Sequence, residues 1–360
     1  MSAAENNANF TRIKVVGVGG AGNNALNRMV DAGLQADFIA VNTDVQALAL
    51  SKANRCIQIG ERLTKGLGTG ADARLGELAA LESREKIKNV LAGADIVFIA
   101  AGMGGGTGTG ASPVVAECAR EIGALTLAVV TTPFKFEGRK RVQQAEEGLK
   151  KLAAVVDSFL TIANDRLFLV IDKKTPALKA FRIADDLLRQ GIQGISDLIV
   201  KPALVNLDFA DVKTVLSGGG RTLMGIGLGR GETRVVDAVR SAIQNPLFET
   251  SIHGAQGILV NVTGSCDIAL PEINEAMALI NDCADPQANI IFGADIDESL
   301  TDSVRVTIIA TGFQANRVSG DRPQEDNQGA LRRFSIEPEP VKDSAQQDDF
   351  NVPSFMRHKQ

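Results

Sequence analysis

Tryptophan and tyrosine are absent from this chain, and histidine occurs twice, at His253 and His358. Two distant histidines exclude a histidine-based metal site or a Ser-His-Asp triad. Without Trp or Tyr, and with a net charge of −5, the chain is expected to bind no nucleic acid, which draws on basic patches and stacking aromatics. The four cysteines, Cys56, Cys118, Cys266 and Cys283, form no C-x-x-C pair and read as buried, reduced thiols of a cytosolic protein. No apolar run approaches the roughly 20 residues that span a bilayer. Met1 to Phe10 is polar and lacks the apolar stretch of a signal peptide. Any membrane role is therefore expected through a partner, with no direct insertion.

What the chain has is glycine, concentrated in two turns. Gly102-Met103-Gly104-Gly105-Gly106-Thr107-Gly108-Thr109-Gly110 follows a strand-like run, Ile96 to Ala101, and precedes a helix-like segment, Ser112 to Ile122. Such a loop lets backbone N–H groups approach a phosphate closely, and Thr107 and Thr109 add hydroxyl donors. No Lys-Ser/Thr closes the loop, so it is not a Walker A loop, and phosphate charge must be met by backbone dipoles and Mg2+. The second turn, Gly17-Val18-Gly19-Gly20-Ala21-Gly22, satisfies G-x-G-x-x-G, with Asp44 about 20 residues on. Alone, it also suits a nicotinamide-dinucleotide oxidoreductase. Two glycine loops on neighbouring strands suit one nucleotide gripped from two sides.

At 360 residues the chain is long enough for two domains. Residues 1–11 read as a disordered leader. Strands are expected at Ile13 to Val18, Phe38 to Asn42, Ile96 to Ala101, Leu125 to Thr131 and Phe159 to Ala163. Helices are expected at Asn23 to Ala32 and within Gly76 to Leu91. This rhythm predicts an α/β fold whose first domain is Rossmann-like, with a mostly parallel sheet covered on both faces. Thr175-Pro176 starts a long helix whose apolar positions, Leu178, Phe181, Ala184, Leu188, Ile192, Ile195 and Leu198, recur at helical spacing. Residues 175–200 thus read as a central spine. A second, smaller α/β domain follows over 201–313, with strands at Thr222 to Gly227, Gly257 to Thr263, Asn289 to Asp295 and Val304 to Thr311. Its helices are expected at Glu232 to Gln244 and Pro271 to Cys283. Residues 314–348 are poor in apolar side chains and read as a flexible linker.

The run GGGTGTG at 104–110 resembles the signature of the tubulin/FtsZ superfamily, and the surrounding sequence is similar to its FtsZ branch from about Ile13 to Phe313. The resemblance implies a polymerisation-activated GTPase with a GTP-binding domain over 12–174, GTP or GDP as ligand and Mg2+ as expected counter-ion. It implies phosphate contacts at Gly19, Gly20, Ala21, Gly22 and Asn23 and at Gly104, Gly105, Gly106, Thr107, Gly108, Thr109 and Gly110. Asn42 and Asp44 match a loop near the phosphates and metal; an Asx-turn is the plain reading of the same pair. Glu137 and Arg141 match ribose and phosphate contacts, and Asn164 a nucleoside contact. Phe181 and Asp185 are four apart and share a helix face. By spacing alone they are a core Phe beside a solvated Asp. The resemblance implies a ring stacked on the purine and a carboxylate that accepts the N1–H and N2–H2 donors of guanine.

Asn206-Leu207-Asp208-Phe209-Ala210-Asp211 places two carboxylates at a helix start, where Asn and Asp also serve as ordinary caps. About 20 helical residues, or roughly 30 Å, separate them from Asp185. The resemblance implies that Asp208, Asp211 and Asn206 complete the hydrolytic site of the next subunit in a head-to-tail filament. It also implies a cytokinetic ring at the inner face of the cytoplasmic membrane of a prokaryote. In the segment 349–360, Phe350, Val352, Pro353, Phe355, Met356 and Arg357 break the polar composition. They resemble the family's tail peptide, which docks on membrane-tethering and regulatory division proteins. A non-hydrolysing tubulin-like scaffold is the remaining alternative. Departures from the family pattern are Asp72-Ala73 for the frequent Asn-Pro, Ile162-Ala163 where a Pro is usual before Asn164, and a glycine-rich Ser217 to Arg221 turn.

Overall fold

A computed structural model describes residues 11–172, 174–200, 205, 208–245 and 252–313. Residues 1–10 of the expected leader over 1–11, Asn206, the linker over 314–348 and the tail over 349–360 lie outside the described residues. The chain runs through β1 (Ile13–Val18), α1 (Gly19–Asp31), β2 (Asp37–Asn42), α2 (Val45–Ala49), β3 (Arg55–Gln58), α3 (Glu61–Thr64), α4 (Ala73–Glu82) and α5 (Arg84–Leu91). It continues with β4 (Ile96–Gly102), α6 (Thr107–Glu121), β5 (Leu125–Thr132), α7 (Arg139–Ala153) and β6 (Ser158–Ala163). The long helix α8 (Ala177–Val200) and the short α9 (Phe209–Leu216) lead into β7 (Gly220–Arg230) and α10 (Arg234–Ile243). Then come β8 (Gly257–Gly264), α11 (Leu270–Cys283), β9 (Asn289–Ile296) and β10 (Ser303–Thr311).

The strands form one order, β3-β2-β1-β4-β5-β6-β7-β10-β8-β9. Pairing is parallel from β3 to β6. All of Ile96 to Ala101 in β4 is fully buried, as a strand covered on both faces must be. Alternate residues feed two cores. Val97, Ile99 and Ala101 pack with Val114, Val115, Cys118 and Leu152, while Ile96, Phe98 and Ala100 pack with Leu26, Met29, Leu188 and Ile192. The last four strands are mixed. β10 enters antiparallel between β7 and β8, and β9 pairs parallel with β8. The parallel pairing of Ser158 to Leu160 with Gly220 to Thr222 joins this part to the first six strands.

Both helices that follow the glycine turns start earlier than expected, at Gly19 and Thr107 instead of Asn23 and Ser112. Glycine is a poor helix former, but here the helices approach other backbone too closely for a side chain. A Cβ on Gly22 would lie 2.2 Å from the Ala100 carbonyl oxygen, and one on Gly110 would lie 1.9 Å from that of Ala73. The expected Gly76–Leu91 helix is two helices meeting at Ser83, whose hydroxyl accepts the Gly60 N–H. The four cysteines are free thiols, but the expectation of burial holds only for Cys118. Cys56 and Cys266 are exposed and Cys283 is half-buried.

Candidate nucleotide site

The chain leaves β1 toward β2 on one side, while β4 pairs on the other. This is a topological switch point, where α/β sheets open a crevice at the carboxyl ends of their strands. The amino termini of α1 and α6 both stand there. Neither has a side-chain cap, so their first N–H groups keep their donors for another acceptor. The two glycine turns touch. Gly19 has φ +70°, and a Cβ there would sit 2.8 Å from the Gly108 nitrogen. Gly105 faces open space, with nothing within 4 Å of a built Cβ.

The second turn is tied down from three sides. Thr109 Oγ1 accepts the Gly104 N–H at 2.8 Å. Gln144 Nε2 on α7 donates to the carbonyl oxygens of Gly105 at 2.8 Å, Ala71 at 3.1 Å and Gly104 at 3.3 Å. Thr107 Oγ1 lies 2.7 Å from Thr43 Oγ1 and 3.4 Å from Thr69 Oγ1, deep in the protein. Both threonine hydroxyls are thus engaged in holding the loop. Asn42 Oδ1 accepts the N–H groups of Thr43 and Asp44, and Asp44 caps α2 through the N–H groups of Gln46 and Ala47. The Asx-turn reading of that pair is realised.

Further along the chain, the end of β6 delivers Asn164, and α8 delivers Phe181 and Asp185. Phe181 stands edge-on to Phe134, ring centroids 5.5 Å apart, and Phe134 stacks on Phe136. Glu137 Oε1 accepts the Phe134 N–H, and its Oε2 accepts from the Arg141 guanidinium at 2.6 Å. Asp185 pairs with Arg28 of α1 at 3.4 Å. Burial pushes the Asp185 carboxyl up to about 6, against the opposing pull of the Arg28 charge and hydrogen bond.

Two side chains chosen from sequence carry the most pointed signal. Asn23 is buried, and neither its Nδ2 nor its Oδ1 has a partner among the described residues; nor does Oδ1 of buried Asn164. An unpaired buried polar atom costs about 1–3 kcal/mol, so these amides call for a ligand. Sequence reasoning missed Arg28, Gln144, Thr43 and Thr69. No motif marks them, because each acts on a residue far away in the chain.

Asp208 and Asp211 are not part of this constellation. Asp208 caps α9, its Oδ1 accepting the Asp211 N–H at 2.8 Å, and Asp211 sits exposed in the first turn. Among the described residues, no group of three acidic, His or Cys side chains converges as a metal site. None of the described helices is long and apolar enough to cross a membrane.

The Tubulin/FtsZ family GTPase-domain model matches residues 12–172, and the FtsZ family C-terminal-domain model matches residues 220–314. An empty FtsZ dimer from M. jannaschii is 46% identical, with a TM-score of 0.79 over 84% of this chain and 89% of that one. A tryptophan-to-tyrosine mutant of M. jannaschii FtsZ is likewise 46% identical, with a TM-score of 0.80 over 84% and 92%. CetZ2 from Haloferax volcanii, a GTPγS-bound protofilament, is 20% identical with a TM-score of 0.74 over 84% and 94%, a likeness of fold. The oxidoreductase alternative falls with these matches, and so does the non-hydrolysing scaffold. With both domain models placed on the chain and FtsZ at 46% identity, this protein belongs to the tubulin/FtsZ family and is a guanine-nucleotide-binding GTPase of its FtsZ branch.

Proposed function

We propose that GTP is held at the β1–β4 switch point, and that its hydrolysis is completed by Asp208, Asp211 and Asn206 of the next subunit in a head-to-tail filament. The carrying observation is the separation of the two half-sites. Phe181 and Asp185 stand in the first turns of α8, whose 24 residues make a rod of about 36 Å. Asp208 and Asp211 begin α9, which follows the far end of that rod and packs on β8. In the sheet, β8 is five strands from β4, or about 24 Å at 4.8 Å per strand. A contact between unlike ends is heterologous, and where its rotation does not close it propagates as a filament. The self-assembled relatives support this: one is an FtsZ dimer and one a CetZ protofilament.

In this reading the turns Gly19 to Asn23 and Gly104 to Gly110 lie against the phosphates and donate their free backbone N–H groups to them, while the Gly104 N–H stays with Thr109 Oγ1 and the Gly110 N–H with the Gly106 carbonyl. Glu137, Arg141 and Asn164 hold the sugar, and Phe181 and Asp185 the guanine. Asn42 and Asp44 lie toward the phosphates. Mg2+ would take most of its ligands from phosphate oxygens and water, since the described side chains offer no ready cage. When bound it would neutralise the charge that builds on the phosphate oxygens. An Asp of the incoming subunit would position the attacking water. The domain limits 12–174, 175–200 and 201–313, the linker over 314–348 and the docking tail over 349–360 complete the proposal. So do a cytoplasmic ring at the division site and recruitment by membrane-tethering division proteins.

GTP turnover per chain, measured across a range of protein concentrations, tests it. Activity should rise steeply above a threshold, and Asp211→Ala should bind GTP and assemble into long-lived filaments with little turnover. Turnover per chain that is independent of concentration would overturn it.

A further inference from the structure

Arg28 lies on α1, well past the first glycine turn, and the guanidinium Nε donates to Asp185 Oδ2 at 3.4 Å. The side chains keep 27% and 17% of their exposure, so the pair is sheltered from bulk water. We propose that Arg28 is a positioning residue for guanine recognition: it fixes the orientation of the Asp185 carboxylate and balances its charge where that carboxylate meets the N1–H and N2–H2 donors of the base. The inference rests on the reading of Asp185 as the guanine contact.

The lone pairs make this arrangement possible. An ionised carboxylate offers about four acceptor sites, and Arg28 occupies one of them. A protonated Asp185 would instead turn an O–H donor toward two donors. Burial favours that neutral form, and Asp186 beside it on α8 adds to the effect. Asp186 is itself held by Arg189 Nε at 2.6 Å and Gln190 Nε2 at 2.8 Å, so it does not compete for Arg28. Phe181 and Asn164 bring no charge. Arg28 from α1 is thus the cation recorded against Asp185 among the described residues. The same helix begins with the first glycine turn. One rigid element therefore carries the phosphate turn at its start and the support of the base contact further along.

The test uses full-length protein below its assembly threshold. Affinities for GDP and IDP are measured from pH 5.5 to 8; IDP lacks only the 2-amino group, so the GDP/IDP ratio cancels the titration of the phosphates. Wild type should prefer GDP, with the preference fading as pH falls through the Asp185 titration. In Arg28→Met the pH midpoint of the preference should be displaced upward, by about one pH unit, and the preference below pH 7 should fall several-fold while that at pH 8 changes little. Arg28→Lys, which keeps the charge, should recover most of it. Asp185→Asn should abolish the preference, and adding Arg28→Met to it should change nothing further. If Arg28→Met weakens GDP and IDP equally at an unmoved midpoint, Arg28 merely packs α1 on α8 and the inference fails. If Asp185→Asn keeps the preference for GDP, the guanine reading itself fails and takes the inference with it.

Discussion

At the scale of single residues, the site holds groups that the empty protein would be more stable without. Asn23 and Asn164 are buried amides with unsatisfied atoms. Asp185 is a carboxylate lifted from 3.8 to about 6 by burial. A raised folded-state pKa means that the native state binds this proton more tightly than the unfolded chain does. The stabilisation from protonation is present at low pH and lost as pH rises through about 6. That displacement corresponds to at most about 3 kcal/mol at 1.36 kcal/mol per pK unit. Nucleotide-free Asp185→Asn, which carries no charge to desolvate, should therefore melt higher than wild type at pH 8. The gap should narrow toward pH 5. A thermal-melt difference that is the same at both pH values would show that Asp185 is not held against its ionisation. The residues of this site were legible to different degrees. Phe181 and Asp185 could be placed on one helix face from spacing, but only the family resemblance made them a base contact. Arg28 and Gln144 were illegible, because a lone Arg or Gln on an amphipathic helix looks like any solvated position.

At the scale of elements, strand positions were legible to within a few residues because fully buried strands such as β4 are unbroken apolar runs. Helix starts were not. Glycines read as loop, whereas in α1 and α6 they are the first helical turn, required by close backbone contact. Helix α4 packs against α6 through that contact, with Gly76 against the Gly106 carbonyl and Gly110 against that of Ala73. Its own start departs from the family pattern at Asp72-Ala73. Asp72 is a working N-cap, accepting the N–H groups of Arg74 at 2.8 Å and Leu75 at 3.2 Å. Asp serves as well as Asn there, so the first departure is neutral. Ala73 stands at the first helical position, and Asp72 before it is extended at φ −90°, ψ 109°, as the residue before a proline should be. Proline fits such a position and restricts the unfolded chain. Ala73→Pro should therefore stabilise the protein by about 0.4–1 kcal/mol in chemical denaturation, with GTP affinity unchanged. A loss of stability would mean that the α4 start does not tolerate the ring beside α6.

At the scale of the whole molecule, the expected architecture of a parallel first sheet, a long helix and a second α/β part is present. The mixed pairing of the second part was not legible. Alternation of strands and helices suggests parallel neighbours, and only long-range pairing reveals that β10 enters between β7 and β8. The fold that results holds the two glycine turns and the Asp208–Asp211 pair on strands and helices far apart; in the proposed function each chain then carries half of a hydrolytic site at either end.

That division predicts how mixed populations behave. Asp211→Ala leaves the β1–β4 crevice untouched, since Asp211 sits exposed in the first turn of α9, away from that crevice. The variant should take up GTP and enter filaments beside wild-type chains. Each wild-type pocket then meets either an intact or a disabled neighbour. Each variant pocket is likewise served where its neighbour is wild type, so at fixed wild-type concentration total phosphate release follows the number of wild-type acid pairs and should not fall as the variant fraction grows. A variant altered at the pocket, such as Gly105→Ser, provides the complementary half. It keeps Asp208 and Asp211, so where it enters a filament its acids should serve the intact pocket of an Asp211→Ala chain, and a mixture of these two variants, each with little turnover alone, should release phosphate. If the two variants mixed together release no more phosphate than the sum of each alone, pocket and acids act within one subunit, and the separation of about 24 Å across the sheet must be closed by a rearrangement within the chain.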